Sequence, residues 1–250
     1  MRKLFLACTV LLAASSTFIA HAQRKPIQTL IIDPGHGGSH DSGSEAERSL
    51  SAANNATSPG GLKEKDLTLE LAVAVRDQIA GRAAAHPQTK LTCRLTRTDD
   101  SNPDFAQRAQ VCASARPLPC AIVSLHFNAG GGKALGTVAV FQDQARNLNY
   151  GADHAFATGL IKATSEAVAK FVPGSRAREP ISDAHLHGGT GSNFFHQLNK
   201  MGELRAVPKC FLEIEFIDRA DVDKSLLARR AEAFPIIAGA IAEYLYTTCE

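Results

Sequence analysis

Apolar residues along this chain fall into short continuous runs separated by stretches with helical spacing, and that alternation predicts the elements before any chemistry is considered. The run over residues 27–32 ends in Asp33-Pro34-Gly35, the pattern of a buried strand leading into a loop. Asp66 can cap a helix whose Leu67, Leu71, Val75 and Ile79 recur at i, i+4 on one face, so Glu64 sits just ahead of a helix start. Residues 91–95 predict a second strand, and residues 105–115 a short helix opened by Pro103-Asp104. Residues 121–127 are apolar apart from Ser124 and His126, as in an interior strand whose end emerges at a site. Residues 136–141 and 210–216 add strands, and residues 226–246 a closing helix that Pro235 is expected to kink or split. Strands alternating with helices predict one α/β domain: a central, twisted, mostly parallel sheet with helices on both faces.

Two stretches stand outside that rhythm. Residues 39–61 are rich in Ser, Asn, Gly and Ala and form a long loop, a feature that is often functional. Residues 150–205 begin with a helical pattern over 155–171 and continue through Pro- and Gly-broken turns, so a helical and loop insertion is expected there.

The N-terminus changes the boundaries. Arg2 and Lys3 precede an apolar stretch over 4–14, and Ala20-His21-Ala22 offers a small-x-small cleavage site, so residues 1–22 read as a secretory signal peptide and 23–250 as the mature domain. The apolar run is broken by Ser15, Ser16 and Thr17, too short for a spanning helix, which needs about 20 residues. The expected location is therefore periplasmic or secreted, with no membrane span in the mature chain. Without the first 22 residues the chain carries 25 basic against 25 acidic residues, which removes the electrostatic case for nucleic acid or anionic membrane as a partner. The chain has no Trp and only three Tyr, which argues against a carbohydrate-stacking aromatic surface. Cys93, Cys112, Cys120, Cys210 and Cys249 remain; an oxidising compartment makes a disulfide plausible, and Cys112 with Cys120, bracketing a short turn, is the expected pair. None shows CxxC spacing, which argues against a cysteine-zinc site.

The chemistry sits at strand ends. His36, in Asp33-Pro34-Gly35-His36-Gly37-Gly38, and His126, in Ser124-Leu125-His126-Phe127-Asn128-Ala129, each follow an apolar strand. Read singly, each could be a structural histidine satisfied by a backbone carbonyl; together they favour a common site, because ligands of open α/β sheets bind outside the carboxyl ends of the strands. Glu213 and Glu215 interrupt the apolar run Phe211-Leu212-Glu213-Ile214-Glu215-Phe216, where alternation puts both acids on one face. His185-Leu186-His187 lacks a third ligand nearby and reads as a polar loop. A serine hydrolase is excluded by the absence of a Gly-x-Ser-x-Gly elbow.

Taken in order and spacing, Asp33 to Gly38, Gly61-Leu62-Lys63-Glu64-Lys65-Asp66, Leu95-Thr96-Arg97-Thr98-Asp99, Ser124 to Ala129 and Phe211 to Phe216 resemble the zinc-dependent N-acetylmuramoyl-L-alanine amidases of the type-3 amidase family. The resemblance covers about 30–142 and 207–246. It implies Zn2+ held by His36, Glu64 and His126, an open coordination position for water, and Glu213 as general base. The implied substrate is peptidoglycan, cut between the lactyl group of N-acetylmuramic acid and L-alanine. Glu215 stands where relatives commonly carry glycine, which sets a second acid beside Glu213. In some relatives an insertion like 150–205 occludes the zinc until an activator protein displaces it; Glu166 and Glu179 are the acids available for such a role. Two other readings compete: an inactive peptidoglycan-binding module of the same fold, and a zinc peptidase acting on the stem peptide.

Overall fold

The computed structural model describes residues 27–39, 50–86, 89–186 and 191–249; the expected signal peptide and His187 lie outside them. Six strands form one sheet in the order β2-β1-β3-β6-β4-β5, with β1 Ile27–Pro34, β2 Lys90–Leu95, β3 Pro119–Asn128, β4 Val138–Phe141, β5 Ile181–Ser182 and β6 Lys209–Phe216. β2, β1, β3 and β6 run parallel, while β4 is antiparallel to β6 and parallel to the two-residue β5. The central strands are apolar on both sides because both faces of the sheet are covered.

Alternation along β1 and β3 divides the core. Leu30, Ile32, Ala121, Val123, Leu125 and Phe127 face one layer, formed by helices α1 (Glu64–Arg82), α3 (Tyr150–Val168) and α5 (Arg230–Cys249). Ile31 and Ile122 face the other, where α2 (Phe105–Ala113) and α4 (Asn193–Lys200) pack through Ala109, Cys112, Phe194, Phe195 and Leu198. The expected 150–205 segment is helix and loop, and its first helix is built into the main core: Phe156, Ala157, Leu160 and Ile161 are buried against the sheet. Among the described residues no helix is long and apolar enough to cross a membrane.

Two expectations about the helices need correction. α1 starts at Glu64, not after it: the Glu64 amide is satisfied by Ala56 O at 2.9 Å, and Asp66 lies inside the first turn, where its charge favours the helix without capping it. Pro235 lies inside α5 without ending it; the chain breaks earlier, between a π-helical turn at Asp223–Leu227 and the start of α5 at Arg230. By contrast, Asp104 does cap α2, forming a reciprocal capping box with Gln107.

The disulfide joins Cys120 to Cys249, not Cys112 to Cys120. Thr29 pairs with Pro119 while Leu30 pairs with Ala121, so Cys120 is the extra residue of a bulge in β3. Cys120 packs with the α1/α3/α5 layer, where α5 ends, whereas Cys112 is buried on α2 behind the opposite face of the sheet. Cys93, Cys112 and Cys210 are free thiols. Peptide mapping without reductant is expected to recover a Cys120–Cys249 cross-link and a free Cys112. Because the bridge closes a loop of 129 residues, the C120S/C249S double variant should lose about 2–4 kcal/mol in urea unfolding.

Candidate active site

The carboxyl ends of β1, β3 and β6 are adjacent and point the same way, and a cavity of about 460 Å³ opens there on the α2/α4 side. His36 follows β1, His126 and Ser124 project from β3, and Glu213 projects from β6 directly opposite His126 in the register. Glu64 reaches the same point from the first residue of α1, on the other side of the sheet edge.

His36 Nε2, His126 Nδ1 and Glu64 Oε1 form a nearly equilateral triangle. Glu64 Oε1 is 3.1 Å from each histidine nitrogen, and the nitrogens are 3.2 Å apart. A tetrahedral divalent ion with bonds of about 2.0–2.1 Å needs donors about 3.3 Å apart. The set thus has the spacing of one face of a tetrahedron, with the remaining vertex free for another ligand. These residues are the candidate metal-holding group.

Surrounding groups orient the three donors. His36 sits at φ 61°, a left-handed conformation that costs a non-glycine residue energy and directs its ring towards the triangle. Its Nδ1 lies 2.7 Å from Ala52 O, an acceptor, so Nδ1 carries the proton and Nε2 the lone pair. The loop after residue 50 therefore supports the site, and it also binds Glu64, whose Oε2 accepts from Ala56 N at 2.9 Å. Glu64 Oε1 accepts from Phe127 N at 3.1 Å. His126 Nε2 faces Ser124 Oγ at 3.1 Å. Gly35 is required by contact: a Cβ there would lie 2.3 Å from the His126 ring.

The charges follow from these contacts. In the metal-free protein, where the facing ring nitrogens of His126 and His36 carry protons, burial opposes ionisation of Glu64, but the hydrogen bonds from the two histidines outweigh it and hold the carboxyl far below the usual range. Burial also works against a charged His36, yet Glu64 raises it overall, whereas at His126 burial prevails and lowers it. Glu213 behaves oppositely to Glu64: burial, reinforced by the Glu64 charge, pushes its carboxyl well up. Its Oε2 is buried with no hydrogen-bond partner in the protein. A buried carboxylate oxygen left unmatched at a cavity wall is costly unless something outside the fold uses it.

Glu215 is elsewhere. It accepts from Gly136 N at 2.7 Å and Phe216 N at 2.8 Å and from the Ser175 hydroxyl, all away from the cavity. Glu166 and Glu179 are exposed and do not line the cavity, and His185 is exposed in a short helical turn. Sequence reasoning gave no part to Arg108, which is buried on α2 and bonds Asp33 Oδ1, Pro34 O and His36 O, each at 2.8 Å. An arginine in an otherwise ordinary amphipathic helix offers no signal of that role. Asp33, by contrast, was visible as an acid ending an apolar strand.

The chain is similar to known proteins in sequence and in fold. N-acetylmuramoyl-L-alanine amidase CwlM of Bacillus licheniformis is 34% identical over 103 residues, 41% of this chain; the matched part spans about a third, 32%, of that relative's length. The catalytic domain of the amidase CwlV from Bacillus (Paenibacillus) polymyxa var. colistinus shares the fold with a TM-score of 0.56 at 21% identity, over 87% of this chain and 95% of that one. CwlD from Clostridioides difficile, solved in complex with the GerS lipoprotein, gives a TM-score of 0.60 at 19% identity, over 89% of this chain and all (100%) of that one. The family profile described as N-acetylmuramoyl-L-alanine amidase matches residues 30–245, and the chain belongs to that family.

Proposed function

We propose that this protein is a zinc-dependent amidase that hydrolyses the bond between N-acetylmuramic acid and L-alanine in peptidoglycan. One observation carries the reading: His36 and His126 of the three-donor triangle line the same cavity as Glu213, whose Oε2 is buried without a partner in the protein. His36, Glu64 and His126 would hold Zn2+, whose positive charge polarises the scissile carbonyl and acidifies the attacking water.

Glu213 is the general base. Its carboxylate takes a proton from the attacking water and returns it to the nitrogen of L-alanine as the C–N bond breaks. Burial and the nearby Glu64 charge raise its proton affinity, which brings it closer to the range in which one group can accept and then donate near neutral pH. Glu215 cannot substitute for it, since both of its oxygens are engaged away from the cavity.

Family membership supports action outside the cytoplasm on peptidoglycan, and the basic-then-apolar pattern of residues 1–22 supports their reading as the export signal. The complex of CwlD with the GerS lipoprotein supports a protein partner for this chain too, for which we propose the role of an activator. Neither Glu166 nor Glu179 reaches the cavity, so the described residues offer no acid from the 150–205 segment as an occluding ligand. The intact set of four site residues favours the enzyme over an inactive wall-binding module, which would have no use for an unmatched Glu213.

Incubating the mature protein with purified peptidoglycan is expected to release peptides with a free L-alanine amine. A chelator should abolish that release and added Zn2+ restore it; release of dipeptides or free D-amino acids alone would instead indicate a peptidase. Glu213→Gln is expected to lower kcat by about 10²–10⁴-fold while zinc remains bound at 1:1. A variant with full activity would remove Glu213 from the mechanism.

Stability should move in the opposite direction. Above the ordinary glutamate range the unfolded chain has lost the Glu213 proton while the folded, metal-free protein retains it, so ionisation of this group makes folding less favourable as pH rises. In urea unfolding of metal-free protein at pH 7, Glu213→Gln is therefore expected to be at least as stable as wild type, and its advantage should shrink as pH falls towards 4.

A further inference from the structure

We propose that Ser124, anchored by Asp33 and Arg108, is a positioning residue that fixes the tautomer of His126 and so presents its Nδ1 to the metal. The inference rests on the metal-holding role proposed for His126 and assigns a function to a buried chain of groups behind it.

With a cation held at the triangle, proton accounting along the chain leaves one arrangement. Arg108 Nη1 donates to Asp33 Oδ1 at 2.8 Å, and the Thr96 hydroxyl donates to the same oxygen. An ionised Asp33 can only accept. Ser124 Oγ lies 2.6 Å from Asp33 Oδ2, and as the hydroxyl has a single proton, that proton points to Asp33. Towards His126 Nε2, 3.1 Å away, Ser124 then presents only lone pairs. His126 Nε2 must therefore be the N–H, and in the neutral ring Nδ1 is left with a lone pair directed at Glu64 Oε1 and His36 Nε2. Reversing the serine would give up the short, charge-assisted bond to a buried carboxylate and set two lone pairs against each other.

The two histidines are thus held by different means with the same result. His36 is fixed from outside by the Ala52 carbonyl, and presents Nε2; His126 is fixed by a serine–aspartate–arginine chain, and presents Nδ1. Ser124, Asp33 and Arg108 are all buried in the wall of the cavity, where their side chains hold one another in place.

Three variants test this without relying on turnover. Ser124→Ala should lower zinc affinity, measured by competition with a chromogenic chelator, by about 10–100-fold. Ser124→Thr, which keeps the hydroxyl, should recover most of it. In ¹⁵N-resolved NMR of the zinc-loaded wild type, His126 should show a protonated Nε2 and an unprotonated, metal-shifted Nδ1, and circular dichroism should show all variants folded. Wild-type affinity in Ser124→Ala, or a His126 proton on Nδ1 in the zinc-loaded protein, would overturn the proposal. If Ser124→Ala does not fold, Ser124→Cys, whose thiol is a weak hydrogen-bond partner, takes its place, with the same loss of zinc affinity expected and wild-type affinity overturning the proposal. Zinc binding that depends on Ser124 in a protein with no amidase activity would reject the proposed reaction and leave the positioning role standing.

Discussion

The site depends on two buried guanidinium groups that grip the backbone where β1 ends. Arg97 donates to Pro34 O at 3.0 Å and Gly35 O at 2.9 Å, while Arg108 donates to Pro34 O and His36 O, both at 2.8 Å. Three successive carbonyls are thereby fixed. The grip is needed because His36 has a positive φ, which costs a side-chain-bearing residue about 1–3 kcal/mol and persists only where surrounding structure over-determines it. Lysine could not replace either group, having neither the planar fork nor the number of donors. Two cations in so small a volume carry a cost of their own: burial, and then the Arg108 charge, lowers Arg97 to about 10. Asp33 offsets it. Burial resists its ionisation, but the Arg108 charge and the hydrogen bonds from Ser124, Thr96 and Arg108 prevail and keep it a carboxylate.

Topology supplies the rest. Because β1, β3 and β6 are neighbours and parallel, their carboxyl ends form one edge, and each contributes a functional side chain to it without a long connecting loop. Helix α1 adds Glu64 from its first residue, where a negative charge also favours the helix dipole. Two buried carboxyls then differ in state because their surroundings differ. Glu64 has two backbone N–H donors and two histidines; Glu213 has an unmatched oxygen and the repulsion of Glu64. Separation of two titratable groups in this manner gives one site both a charged carboxylate and a carboxyl of high proton affinity.

Much of this was legible in the sequence, for a definite reason. Strands buried on both faces give continuous apolar runs, so Ser124 and His126 in β3 and Glu213 in β6 stand out as polar interruptions whose positions mark the sheet edge. Glu64 was visible mainly through its motif, since a glutamate at a helix start is common for reasons unrelated to metals. What could not be read were contacts set by irregularity. The bulge at Cys120 decides which side of the sheet that cysteine joins, and hence its partner, while sequence proximity suggested Cys112. Ala52 acts through a carbonyl, which every residue has, so nothing in the sequence of that loop could single it out.

The same kind of irregularity settles which acid faces the cavity. Strict alternation places Glu213 and Glu215 on one side of β6, and without interruption Glu215 would oppose Asn128 on the cavity wall. Instead His126 pairs with Glu213 and Asn128 with Phe216, so β6 accommodates one residue more than β3 over this interval. The bulge turns Glu215 towards Gly136 and Ser175, where its oxygens are satisfied. Had both acids faced the cavity beside Glu64, three carboxyls would share one desolvated space and the repulsion would raise their proton affinities together. A single extra residue in β6 thus keeps Glu213 the only carboxyl of its strand at the cavity and leaves its proton affinity to be set by burial and Glu64.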